Sequence, residues 1–508
     1  MSLTETEVEP SSSQQAGKRF MRGTVWVFLA EALIFPTGLV TAGILTRQLG
    51  QEGYGMLTLV AVLVSWIEWT ITSIFARTSI KFVSDAEDWQ PVGAMIAQLH
   101  LLIGAVATAV IWIFAQPIAG GLGVEDPNFV GYLRLFSLDI PIFCLAYAHR
   151  QLLIGRGFFS QRAIASAGRW ISRLAIIALL VEYAQWSVQG AILGSLGASF
   201  VELTIGRWFV RPPLLKRSSF PPQRLFGYAL PLFLFATSLR LFDKLDLFML
   251  KILGGTVEQV GVYGAAQNLA SVPGIFALSF SPLLLSTLNR TLRTGDLPAA
   301  QQIGRYALRT IVALLPFAAL AAAASVPIVS VVYGQAFQPA GPVLAVLIFA
   351  SMALLLISVI TAILTAAGRP NLTFMLVAPL LPISAAGYVW LVPRYGAMGA
   401  CWANTGAAVF GVVAALLCLY RVWQIAPPLT TAIRSAIAGA IVYVVGLHWI
   451  TPDFSFLLKL VALSLLIPVL LLCLGELSAT ERKSLGNWSQ HQWQQMIGKV
   501  TGKRSGGT

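Results

Sequence analysis

The sequence predicts an all-α polytopic membrane protein. It has about fourteen transmembrane helices, forming two six-helix lobes related by an axis along the membrane normal, followed by two C-terminal helices. Three observations predict this. Hydrophobic residues make up 57% of the 508 positions and charged residues only 11%, far below the roughly 25% charge of a soluble domain. Apolar runs of the length that crosses about 30 Å of hydrocarbon recur from Thr24 to Gly475. Three landmarks also occur twice in the same order: LGQEGYGMLTLV around Gly55 returns as LGGTVEQVGVYGAAQNLA around Gly264, LLIGRGFFSQ around Gly155 as LTAAGRPNLT around Gly368, and GAILGSLGA around Gly190 as GACWANTGA around Gly399. Their offsets are 209, 213 and 209 residues. A duplicated membrane domain places a substrate site between its halves and exposes it to each side in turn.

Residues 1–17 are polar and acidic and read as a disordered tail. The basic cluster Lys18, Arg19, Arg22 then leads into a full-length span, so no cleavable signal is expected. The N-lobe, residues 18–210, carries spans at 24–46, 54–77, 95–119, 130–153, 163–182 and 187–209. A basic, proline-rich linker, RPPLLKRSSFPPQR, covers 211–224. The C-lobe, 225–422, repeats the pattern with spans at 227–252, 260–287, 305–328, 341–366, 371–392 and 396–420. Two more spans, at 431–450 and 456–475, occupy 423–477, and a polar tail covers 478–508. With the N-terminus inside, 27 of the 34 lysines and arginines fall on the inner side, five on the outer side, and Arg240 and Lys244 within a span. This is the bias of a cytoplasmic face, and it accounts for much of the +13 net charge without nucleic acid as a partner. Multi-pass insertion in a bacterial inner (plasma) membrane, with both termini cytoplasmic, is expected.

Charges inside spans are expensive and usually face a cavity or a partner. Helix 7 holds Arg240, Asp243, Lys244 and Asp246; the first three share one helical face. Helix 1 holds Glu31, and the repeat offset of 209 maps Glu31 onto Arg240, which suggests an ion pair between lobes or two sides of a substrate cradle. Glu68, Asp139 and Glu202 are further in-span acids. Each is a candidate for a coupling proton or sodium ion, and the alternative is a neighbouring partner: Arg134 or His149 for Asp139, Arg207 for Glu202. Arg47, Arg77 and Arg150 lie near span ends, where forked guanidinium groups suit phosphate.

The chain contains no phosphate-loop sequence, no HExxH and no long acid-bearing outer loop, so neither an ATPase engine nor an enzyme is expected. Cys144, Cys401, Cys418 and Cys473 lie in apolar spans, and the four histidines lack ligand spacing. No metal site or cofactor is expected.

The pieces ILTRQLGQEGYGMLTLV, FGYALPLFL, DLFMLKILGGTVEQVGVYGAAQNL, ILTAAGRPNLT and YGAMGACWANTGA resemble the polysaccharide-exporting, Wzx-type flippase branch of the multidrug/oligosaccharidyl-lipid/polysaccharide (MOP) superfamily. The resemblance covers roughly residues 18–475. It implies transport of an undecaprenyl-diphosphate-linked oligosaccharide from the cytoplasmic to the outer leaflet by alternating access, with a polysaccharide polymerase as a possible partner. It also implies a cationic cleft, and by position Arg47, Arg77, Arg150, Arg240 and Lys244 are its candidates. Glu31, Asp243 and Asp246 would keep the diphosphate from binding too tightly to leave.

Two rival functions remain. A cation-coupled multidrug-type antiporter would use acids such as Glu31, but the Arg240/Lys244 pair argues against a purely cation-selective site. A membrane polymerase or glycosyltransferase would need catalytic carboxylates on an outer loop. A peptidoglycan-precursor flippase is a closer variant of the transport reading. The topology is tested by cysteines placed at Ser12 and Ser505. Both should resist an impermeant reagent in intact cells and react in inverted vesicles; reaction of either in intact cells contradicts the fourteen-span arrangement.

Overall fold

A computed structural model describes residues 29–214, 218, 220–221, 223, 245–449 and 455–476. Every regular element among them is helical. In chain order these are α1 (Ile34–Asp85), α2 (Trp89–Gly121), α3 (Pro127–Ser137), α4 (Asp139–Gly155), α5 (Phe159–Ile177), α6 (Ser187–Phe209) and α7 (245–252). There follow α8 (Val257–Ala270), α9 (Val272–Arg293), α10 (Leu297–Val312), α11 (Leu315–Ala323), α12 (Ser325–Tyr333) and α13 (Ala340–Ala366). The last four are α14 (Pro370–Val377), α15 (Leu380–Trp423), α16 (Leu429–His448) and α17 (Ser455–Cys473).

Ten helical segments among the described residues are long and apolar enough to cross a bilayer. Two of them are too long for a single crossing. The 52 residues of α1 would extend roughly 78 Å at 1.5 Å per residue, more than twice the hydrocarbon thickness. The chain resolves this at Gly50, whose φ of 66° and ψ of −173° break the helix. Gly396, at φ 54° and ψ −130°, does the same inside the 44-residue α15. Each segment therefore covers two of the spans expected from sequence. The expected span 227–252 is described only from Leu245 onward, and the expected span 260–287 is present as α8 and α9, which meet at Ser271. Similarly, the single span expected at 305–328 is broken into α10, α11 and the start of α12, with Pro316 in the first turn of α11.

Ends are specified locally. Asp88 accepts from the Gln90 N–H at 3.0 Å, Asp126 from Asn128 at 2.7 Å and Asp296 from Ala299 at 2.9 Å. Each satisfies a donor that the helix itself leaves orphaned.

Contacts divide the chain into two units, each discontinuous in sequence: one formed within Met1–Val272, Val326–Ala350 and Pro370–Gly411, the other within Pro273–Ser325, Ser351–Arg369 and Val412–Thr508. In the first unit α1 packs on α4 and α8, α2 on α4, and α5 and α4 on α6. Its core centres on Tyr54, Leu59, Phe129, Ile140, Tyr263, Tyr333 and Phe337. In the second, α11 packs on α16 and α17 around Leu320, Val442, Leu463 and Ile467. Large apolar side chains such as Ile113, Phe200, Trp208, Leu458 and Leu465 face outward. Such a surface suits lipid, since soluble monomers rarely expose contiguous apolar patches of this kind.

The duplicated glycines explain part of the packing. A Cβ on Gly55 would lie 2.0 Å from the Val257 carbonyl oxygen, and one on Gly261 would lie 2.3 Å from the Gln51 carbonyl oxygen. One on Gly264 would lie 2.8 Å from Thr58 Cγ2. Helices α1 and α8 therefore meet backbone to backbone, a contact that only small residues permit in a membrane. Elsewhere the structure refines the repeat. Gly157 and Gly368 share a left-handed conformation, φ 73° and 74°, so they match as turn residues better than Gly155 and Gly368 do. Ser187 and Gly396, 209 positions apart, are also both at positive φ, 46° and 54°.

Replacing Gly261 with Val should force the α1–α8 crossing apart. Overpacking of this kind costs about 1–3 kcal/mol, and thermal unfolding of the purified variant should show the loss. A variant as stable as the parent contradicts the backbone contact.

Candidate functional site

The site is built in the first unit, where acidic and basic side chains from α4, α5 and α6, from α1 and from the stretch just before it converge, buried at Glu202 and more open at Glu31. Helix α5 supplies Arg162, Ser166, Arg169 and Arg173. Their spacing of four, three and four residues puts all of them on one helical face. Glu202 of α6 is the hub and is 1% exposed. It is chelated by Arg150 of α4, whose Nε lies 2.9 Å away and whose Nη2 also contacts it, and by Arg169 Nη1 at 3.1 Å. Arg169 also donates to Ser199 at 3.1 Å and stacks over Phe143, 4.5 Å from its centroid. Glu31, just ahead of α1, accepts from Arg162 at 3.0 Å and from Ser166 at 3.2 Å.

Glu68 of α1 and Asp139 of α4 are buried and lie within electrostatic reach of each other, of Arg169 and of Arg173. Glu68 Oε1 and Asp139 Oδ1 have no hydrogen-bond partner among the described residues. An ionised group in that position is costly unless a proton or a cation reaches it. The four arginines match the four acids in formal charge.

Arg173 differs from the other three. It has no ion pair among the described residues; its Nε, like that of Arg162, is unpartnered. It lines a cavity of about 190 Å³ with Tyr54, Thr58, Ser195, Gln267 and Asn268. Asn268 donates to the Tyr54 hydroxyl at 2.9 Å. One guanidinium and several neutral hydrogen-bonding groups can hold an anionic oxygen there and still satisfy its remaining lone pairs.

The sequence-derived candidates separate on this map. Arg150 is engaged by Glu202, not left open to ligand. Arg47 donates to the Val331 carbonyl at 2.7 Å and clamps the end of α12. Asp246 is 2% exposed and held by Tyr263 at 2.8 Å, Gln267 at 2.7 Å and the Leu247 N–H at 2.8 Å, so it organises α7 and α8. Glu202 pairs with Arg150 and Arg169, not with Arg207, which donates to Pro212. His149 bonds its own helix at Leu145. Glu31 finds its cation in Arg162. Arg240, Asp243 and Lys244 lie outside the described residues, as does the side chain of Arg77. The α5 arginines, read from sequence as an orientation signal, are the charged residues of this cluster that the sequence reading did not single out.

The model of one protein family, described as polysaccharide biosynthesis protein, matches residues 20–283. The chain belongs to that family. It is 25% identical over 351 residues to the succinoglycan biosynthesis transport protein ExoT of Rhizobium meliloti (strain 1021), a match covering 65% of this chain and 66% of that one. Its fold resembles the lipid II flippase MurJ in an inward closed conformation, with a TM-score of 0.67, 14% identity, and 89% and 98% of the two chains covered. It also resembles an inward-facing multidrug resistance MATE family transporter of the MOP superfamily, with a TM-score of 0.59, 15% identity, and 76% and 96% covered. The chain is thus a multi-pass membrane protein with a MOP-type transporter fold.

Removing one partner of a buried ion pair leaves the others uncompensated, at a cost of about 3–5 kcal/mol. Glu202→Ala should therefore lower thermal stability in detergent by that order, while Glu202→Asp retains part of it. A Glu202→Ala protein with parental stability removes Glu202 as the hub.

Proposed function

We propose that this chain is a flippase for an undecaprenyl-diphosphate-linked oligosaccharide, moving it from the cytoplasmic to the outer leaflet of the inner membrane for surface polysaccharide synthesis. The observation that carries this reading is Arg173: a guanidinium without an ion-pair partner among the described residues, beside a cavity that mixes polar and apolar walls, within a membrane protein of the polysaccharide biosynthesis family. A diphosphate and a sugar headgroup cannot cross about 30 Å of hydrocarbon unaided. Arg173 offers the diphosphate a forked donor, and Arg162 offers a second cation if Glu31 is neutralised. Arg77, Arg240 and Lys244 complete the proposed cationic set, while Arg47 and Arg150 hold the frame. Residues 18–210 and 225–422 act as the two lobes that expose the cleft alternately, both termini are cytoplasmic, and the delivered lipid is handed to a polymerase.

The bare oxygens of Glu68 and Asp139 support a coupling role. A proton or sodium ion bound there shifts the charge balance around Arg169 and Arg173, so ion binding and anion binding compete through shared arginines. The same observation is what a cation-coupled antiporter reading would rest on.

The tests separate these functions. Arg173→Ala should cut delivery of the lipid-linked oligosaccharide to the outer leaflet at least tenfold without blocking its synthesis, and Arg173→Lys should keep partial activity. Leaflet-resolved detection of the lipid-linked sugar in cells with equal protein levels is the readout. Normal delivery in Arg173→Ala removes Arg173 from the mechanism, and normal delivery after gene deletion, with no redundant flippase present, removes the function. Glu68→Gln with Asp139→Asn should abolish dependence of transport on an imposed ion gradient; undiminished dependence places the coupling site elsewhere.

A further inference from the structure

The second unit contains a polar cavity of about 750 Å³ far larger than the one beside Arg173. Its walls come from one side of α10, from Pro298 to Arg309, from the N-terminal part of α16 and from Gly475 and Glu476, just past α17. Arg305 and Arg309 of α10 and Arg434 of α16 line it, with Gln301, Thr430 and Thr431 among the polar neighbours.

Glu476 organises this group. It is 5% exposed and accepts from Arg309 Nε at 2.5 Å, Thr431 Oγ1 at 2.6 Å and Arg434 Nη1 at 3.2 Å. Burial pushes its carboxyl up, but these three donors outweigh burial and hold it below the usual glutamate range. It is therefore ionised at neutral pH, and the cavity keeps a net charge of two positive from its three arginines and one acid. Arg305 is exposed and has no ion pair among the described residues.

The backbone adds to this field. Helix α16 begins after Pro428 with no side-chain cap, and its first turn carries Thr430 and Thr431. Positive helix-end charge, orphan N–H groups, a threonine hydroxyl and guanidinium forks converge on one space, an arrangement that suits phosphate. Pro298, Tyr306, Ala426 and Pro428 supply an apolar wall beside it. By the lysine and arginine distribution, this mouth lies at the cytoplasmic surface, where basic pockets between spans meet anionic head groups.

We propose that this cavity is a phosphate-binding site, separate from the transport site, that takes the phosphodiester of an anionic membrane lipid or a soluble phosphate ester. The phosphate sits between Arg305 and the first turn of α16, with Glu476 holding Arg309 and Arg434 in place. Occupancy ties α10 and the first turn of α16 together at the end of α17.

The test uses the purified full-length chain in non-ionic detergent, with dihexanoylphosphatidylglycerol, dihexanoylphosphatidylcholine and glycerol 3-phosphate as probes in a direct binding titration. The phosphatidylglycerol or the glycerol phosphate should bind at least tenfold more tightly than the phosphatidylcholine. Preference for the lipid identifies a membrane source, and equal or better binding of glycerol phosphate identifies a soluble one. Arg305→Glu should weaken the preferred probe at least tenfold with unchanged thermal stability. Thr430→Glu, also at an exposed position, should do the same and guards against a folding artefact in the first variant. Binding no tighter than phosphatidylcholine, or an affinity unchanged in both variants, overturns the proposal. Transport defects in Arg173→Ala leave it untouched.

Discussion

Charge in hydrocarbon is tolerated only when it is matched, and Glu202 is where this chain meets that constraint. Its carboxylate takes guanidinium groups from α4 and α5 while itself belonging to α6. Three helices are thus fixed in rotation as well as position, because turning any one of them leaves a bare charge. The face that α5 presents inward follows from this, and so does the location of Arg173 beside its cavity. Such a cluster is weak evidence for stability as such. Its structural value here is directional: it sets which side of each apolar helix faces protein and which faces lipid.

The fold class was legible in the sequence because hydrophobic length is a one-dimensional property. Apolar runs register directly as helices, and in-span acids such as Glu68, Asp139 and Glu202 stand out against them. Partner identity was not legible in the same way. Pairing Glu202 with Arg150 and Arg169 requires the relative rotation of three helices, and the sequence gives only the order along each. Arg207, five residues from Glu202, was the nearer choice along the chain and the wrong one in space. The α5 arginines were hidden by their own abundance, since clustered basic residues at a span boundary read as topology. A signal was nonetheless present: Arg162, Ser166, Arg169 and Arg173 fall on one face, whereas an orientation signal has no need of periodicity.

The glycine landmarks taught a related lesson. As sequence they marked duplication; as structure they mark the places where side chains are not tolerated. Gly55, Gly261 and Gly264 sit at a backbone crossing, and Gly157 and Gly368 at matching left-handed turns. The shift from Gly155 to Gly157 arises because conformation, not letter identity, was what the turn required. The paired tyrosines beside these glycines diverge more: Tyr54 accepts from Asn268, while Tyr263 donates to Asp246. Tyrosines that match in sequence thus carry different polar partners.

The α1–α8 crossing also bears on motion. An interface made by interlocking side chains must unpick rotamers before it parts, and each freed rotamer changes the entropy of the open state. Where Gly55 and Gly261 lie against carbonyl groups there is no rotamer to unpick, and the side-chain contacts of the same crossing fall beside them, at Asn268–Tyr54 and Gly264–Thr58. Glycine at these positions is therefore a requirement of the crossing itself: any side chain there would set its own rotamers between the two backbones.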